Sequence, residues 1–172
     1  MTAPAPQITD GRADRTGRSA ARLAAVQAVY QMELTGADAE AVAAEFIEHR
    51  FAQEPENAPA GEPDEAFFGE IVRGVPHHQA EIDKSIASCL SKDWKLQRID
   101  SILRAILRAA TYELIAQKSV PAKVVIDEYL DVAHAFFDGE EAAFVNAVLD
   151  RLARRKRAPE FGETPPDDEL QF

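Results

Sequence analysis

The stretch from Val120 to Arg151, VPAKVVIDEYLDVAHAFFDGEEAAFVNAVLDR, constrains the fold of this chain more than any other. Val124, Val125, Tyr129, Val132, Ala133 and Phe136 recur at three- and four-residue steps, which places them on one face of a helix. Pro121 suits the first turn, where its missing N–H is no loss and its fixed φ is already helical. Phe137-Asp138-Gly139 breaks the pattern, and Gly139 is expected to take the positive φ that closes a helix or turn. A second stripe follows through Ala143, Phe144, Ala147, Val148 and Leu152. Two amphipathic helices joined by so short a turn pack as an antiparallel hairpin.

The same reading applied upstream predicts further helices and no strands. Ser19 is an expected N-cap for a first helix ending near Leu34, before Gly36, with Leu23, Val26, Tyr30 and Leu34 as its core stripe. A second helix spans Ala37 to Phe51 through Val42, Phe46 and Ile47. Asp64 caps a third, through Phe67, Phe68, Ile71 and Val72, that ends near Gly74. Pro76 opens a fourth, with Ile82, Ile86, Cys89 and Leu90 on one face. The central helix, Ile99 to about Gln117, carries so wide an apolar stripe that other helices must surround it. Trp94, in the connection before it, is expected to plug the core. The fold class is all-α with about seven helices. Residues 1–17 read as a flexible basic arm, 18–157 as one helical domain, 52–64 as an exposed Pro- and acid-rich loop, and 158–172 as a disordered acidic tail.

A chain of 172 residues, 46% hydrophobic, is long enough to bury a core of its own. It has no apolar run near the roughly 18 residues a membrane helix needs. The amino terminus lacks the apolar stretch of a secretory signal, so a cytoplasmic location is expected, and the lone Cys89 reads as a buried thiol. The net charge of −11 argues against general affinity for nucleic acid. Its distribution qualifies that. Arg12, Arg15, Arg18 and Arg22 gather at the start, Arg151, Arg154, Arg155, Lys156 and Arg157 gather late, and ten acids lie between Asp38 and Glu70. Charges are screened over roughly 8 Å at physiological salt, so a local basic surface is compatible with a net acidic chain.

Arg18 and Arg22, four apart, fall together on the flank of the first helix, and Arg15 joins them if the helix extends that far. They are either solvated charges or an anion site. A helix N-terminus already carries partial positive charge, so arginines gathered there make more sense when an anion visits. Arg104 and Arg108 share a face of the central helix, where pairing with acids is at least as strong a reading as ligand contact. The adjacent His77 and His78 point to different sides of a helix, which disfavours a metal site. There is no GxGxxG, P-loop, GxSxG, HExxH or paired CxxC, and no recognisable acid–base pair. No enzyme and no cofactor are expected. The string favours a binding module.

Three blocks carry a resemblance to a known family. VPAKVVIDE with the acidic Phe turn and FVNAVLD, ARLAAVQAVYQMEL from Ala21 to Leu34, and ILRAILRAATYELI from Ile102 to Ile115 together resemble the signatures of the bacterial NusB family, in order and spacing, over about half the chain. The resemblance implies a fold of two packed helical bundles. It also implies a transcription antitermination factor that binds boxA-type single-stranded RNA with NusE, a small-subunit ribosomal protein, within the elongating RNA polymerase complex, mainly on ribosomal RNA operons. By position it implies RNA contacts at Arg15, Arg18, Arg22, Gln27, Lys123, Phe144 and Asn146. It implies partner contacts at Tyr30, Asp100, Arg104 and Glu140. Phe144 could equally pack in the core and Asn146 cap a turn. Many members of the family have an acid where this chain has Leu103, which leaves two expectations open: Asp100 substitutes for it, or that partner contact is weaker. The alternatives are a helical adaptor with no RNA role, or a stand-alone relative of the NusB-like domain fused to some RNA cytosine methyltransferases.

Overall fold

The computed structural model describes residues 11–51 and 63–169. Seven α-helices make up the fold, and no strand occurs among the described residues: α1 Gly11–Thr35, α2 Ala39–Glu45, α3 Glu65–His77, α4 Gln79–Cys89, α5 Ser101–Ala116, α6 Ala122–Phe136 and α7 Glu141–Lys156. A π-helical turn, Phe46–Arg50, extends α2, and 3-10 turns lie at Leu96–Arg98, Ala158–Phe161 and Asp167–Glu169.

Two bundles share α5. On one side α1 packs along α3 and α5 while α2 lies on α3; on the other α4, α6 and α7 pack around α5. The stripes read from sequence do this. Ile106, Leu107, Ala110 and Leu114 of α5 are fully buried, as are Phe68 and Ile71 of α3, Ile82 and Ile86 of α4, and Leu149 of α7. Each buried side chain of this size contributes about 1.5–3 kcal/mol over its exposed state. Asp38, Asp64 and Asp100 accept hydrogen bonds from the first-turn N–H groups of α2, α3 and α5, offsetting donors that would otherwise stay unpaired. Gly36 ends α1 with φ +72°, a conformation open to glycine at little cost.

Several boundaries differ from the sequence reading. α1 begins at Gly11, so residues 11–17 are helix rather than arm, and Ser19 lies inside it; the Ser19 hydroxyl donates to Glu128 on α6. α3 runs through Gly74 and Pro76 to His77. Pro76 has no N–H to donate to the Val72 carbonyl, and α3 ends one residue later. Gly74 is there for space: a methyl group on it would sit 2.2 Å from the Tyr112 ring of α5. Gly139 has no positive φ, and its N–H instead donates to Glu141 at 3.1 Å.

The segment after Lys156 is folded back as far as Glu169. Arg157, the last of the late basic run, is buried and donates to the carbonyls of Leu114 (2.8 Å), Gln117 (2.9 Å), Val120 (2.9 Å) and Glu113 (3.3 Å). It thereby closes the C-terminus of α5, whose last carbonyls have no helical partner. Glu160 holds Arg157 at 2.8 Å and accepts from the Ala122 N–H at 2.9 Å. Glu163 pairs with Arg154, and Glu169 with Lys156 at 2.8 Å. The acids expected to make this tail disordered are what fasten it. The 52–64 loop lies outside the described residues except for its end, where the Asp64 N–H donates to the Gly17 carbonyl at 3.0 Å.

Candidate nucleic-acid interface

The cations that sequence placed at the start of α1 separate into two roles. Arg18 is exposed, with its guanidinium over the Phe67 ring at 4.8 Å and Asp64 at 3.9 Å. Arg22 is 3% exposed. It faces the other bundle and meets Glu113 of α5, which is fully buried, through Nε at 2.9 Å and Nη2 at 3.0 Å, with Glu128 of α6 at 3.6 Å. Burial works against the Arg22 charge, but the hydrogen bonds and charge of Glu113, with Tyr129 and Glu128 adding to them, outweigh it and raise its pKa further. Burial first, then Glu113, also holds the Tyr129 phenol well above its ordinary pKa. Arg22 is therefore committed to the interior, contrary to its expected place on an exposed flank. The signal for this was one residue type: a glutamate, Glu113, within the wide apolar pattern of the central helix, in its last turn. The Arg15 side chain lies outside the described residues.

Of the two readings of Arg104, pairing with an acid is the one the structure carries. Arg104 is buried, and donates to the carbonyls of Leu96 (3.1 Å), Gln97 (3.4 Å) and Ile99 (2.8 Å) while pairing with Glu33 of α1. It closes the irregular connection before α5 and is not presented to a partner. Arg108 pairs with Asp83 at 2.9 Å.

The remaining positions reach the surface in three places. Lys123 of α6 and Asn146 of α7 are exposed and line one groove of about 480 Å³ with Ile126, Asp150, Arg154 and Phe161. Gln27 and Tyr30 line a second, apolar groove of about 320 Å³ with Leu34, Arg50, Ile102 and Phe136; the Gln27 side chain accepts from Arg50 at 3.4 Å. Asp100, Glu140 and Phe144 border a third, of about 650 Å³. Trp94 stands in this third groove, 54% exposed, with its ring 5.6 Å from that of Phe144. It is no core plug, because the 91–98 connection runs over the outside of the bundle. The motif comparison passed over it, since it lies between the matching blocks.

His77 and His78 stack edge to face at 4.8 Å, and among the described residues no group of three His, Cys, Asp or Glu side chains could hold a metal ion. Cys89 is buried, and burial pushes its thiol pKa up. No described helix is long and apolar enough to cross a membrane.

The fold and its surface define an all-helical protein of two bundles that presents polar, cationic and aromatic side chains on grooves between helices. The chain belongs to the NusB family, whose model matches residues 19–154. It is 54% identical over 155 residues to the transcription antitermination protein NusB of Nitrobacter hamburgensis, covering 90% of this chain and 96% of that one. With the NusB of Caulobacter vibrioides it shares 48% over 140 residues, 81% of this chain and 94% of that one. The solved structure of T. maritima NusB superposes with a TM-score of 0.65 at 28% identity, covering 90% of this chain and 97% of that one. A crystal structure of the antitermination factors NusB and NusE in complex with dsRNA matches with a TM-score of 0.67 at 25% identity, covering 81% and 96%.

Proposed function

We propose that this chain is a transcription antitermination factor that binds boxA-type nascent single-stranded RNA together with NusE and joins the elongating RNA polymerase complex, mainly during ribosomal RNA transcription. The observation that carries this reading is the 54% identity, over nearly the whole of both chains, to a protein named for antitermination. The solved relative holding NusE and RNA supports the choice of partners. The chain acts in the cytoplasm by binding and not by catalysis.

In this reading Arg18 and Lys123 contact phosphates, Asn146 and Gln27 bond to base edges, and Phe144 offers a ring face, which is how single-stranded RNA is held. Tyr30, Asp100 and Glu140 serve the protein partner. Two ligands on one rigid body raise each other's affinity by the same factor when they couple, so NusE strengthens RNA binding as much as RNA strengthens NusE binding. The test is fluorescence anisotropy of labelled boxA-like RNA against a scrambled control, with and without NusE, at two salt concentrations. Selective, salt-sensitive binding that NusE tightens is the expected result. Equal binding to both RNAs refutes boxA recognition, and NusE association without RNA binding favours a protein adaptor.

A further inference from the structure

We infer that Trp94 and Phe144 together form a stacking platform for unpaired bases of single-stranded RNA, a site that rests on the RNA-binding function proposed above and extends it to a residue outside the family motifs. A large indole left 54% exposed on a folded surface calls for a ligand more than an exposed aliphatic side chain does. Trp94 comes from the connection between α4 and α5, and Phe144 from the first turn of α7. Their rings converge at 5.6 Å with 37° between their planes, a tilted pair whose two members both line one groove. Below it the groove is apolar, floored by Ile99, Leu103 and Ala143. Every base has a π face, and stacking on such a surface needs no particular sequence.

Three carboxylates, Asp100, Glu140 and Glu141, and one cation, Arg98, line the groove, so a base enters it and its phosphate stays outside. Arg98 stands at the edge, where it can meet a phosphate that remains outside the groove. The carboxylate of Asp100 is already engaged by the N–H groups of Ile102 (2.9 Å) and Leu103 (3.2 Å), and that of Glu141 by Gly139. A carboxylate beside a stacked base accepts from its exocyclic amino group and need not approach a phosphate. A basic protein segment would want an acidic floor. Leu103 makes this one apolar.

Trp94 is the chain's single tryptophan, so intrinsic fluorescence reports on this site alone. The experiment titrates full-length protein with an unlabelled single-stranded boxA-like oligonucleotide while following Trp emission. In parallel, anisotropy of the labelled oligonucleotide is measured for the wild type, Trp94→Ala and Trp94→Phe. The platform predicts saturable quenching with the midpoint seen by anisotropy, about tenfold weaker binding by Trp94→Ala, and near recovery by Trp94→Phe. The salt dependence of Trp94→Ala stays that of the wild type, because stacking neutralises no phosphate. Since the side chain is exposed, both variants keep the native helical circular dichroism. RNA binding by anisotropy with unchanged emission, or with Trp94→Ala binding like the wild type, overturns the platform and leaves the proposed function standing. Quenching by NusE but not by RNA overturns it in favour of a protein dock. If no RNA binds by anisotropy, the function reading fails and the platform with it.

Discussion

Arg22→Ala should unfold this protein before it weakens RNA binding. The substitution removes one member of a buried pair and leaves the Glu113 carboxylate, fully buried in the last turn of α5, without its cation. Losing one partner of such a pair costs about 3–5 kcal/mol, because the remaining charge stays desolvated. Glu128 at 3.6 Å loses the same cation but is partly solvated, so it adds little. For a domain of this size, about 2–4 °C of Tm per kcal/mol converts the loss to roughly 6–20 °C. Urea unfolding followed by circular dichroism should show a midpoint lower by roughly 1.5–2.5 M at an m-value near 2 kcal/mol/M. The double variant Arg22→Leu with Glu113→Leu should recover most of this, since replacing both charges by apolar groups removes the desolvation cost. Arg18→Ala, at an exposed position, should leave the midpoint nearly unchanged. The reasoning is refuted if Arg22→Ala melts within 2 °C of the wild type, or if the double variant is no more stable than the single one.

Three further outcomes follow from the packing. Gly74→Ala forces a methyl group into the Tyr112 ring and should cost about 1–3 kcal/mol in chemical denaturation, where an exposed helical Gly→Ala would stabilise. Arg157, first through its hydrogen bond and then with help from the Ala122 N–H, holds the Glu160 carboxyl below its ordinary pKa. A depressed carboxylate contributes stability that is present above its unfolded pKa and lost as pH falls through the folded one. Glu160→Gln should therefore lower stability at neutral pH and narrow the gap to the wild type under acid, as measured by thermal melts across that range. Cys89 should resist a thiol reagent in the native state and react fully in urea, because burial both hides it and raises its pKa.

The helices were legible because their apolar stripes keep a strict three- and four-residue period, and one cap because Asp64 stands where first-turn N–H groups need an acceptor; the caps Asp38 and Asp100 went unread, and Ser19, read as a cap, lies inside α1. The fate of the arginines was not. Arg18 and Arg22 are one turn apart with the same chemistry, and only the distant Glu113 decides that one is buried and the other exposed. Arg104 and Arg157 likewise look like surface charges until the carbonyls they close are brought together from connections eight and more than thirty residues away. The acidic tail reads as disordered from composition, yet its acids find the cations Arg154 and Lys156 on α7. Family position supplied Phe144, and the fold supplied Trp94 beside it.

If the proposed function holds, exposed cations serve RNA while buried ones hold the fold. The most direct measurement is the salt dependence of RNA affinity for the wild type and for Arg18→Ala with Lys123→Ala. Each lost phosphate contact on a single strand should lower the slope of log K against log salt by about 0.7, so the double variant should lose about 1.4 with an unchanged melting temperature. An unchanged slope in the folded double variant would contradict the claim.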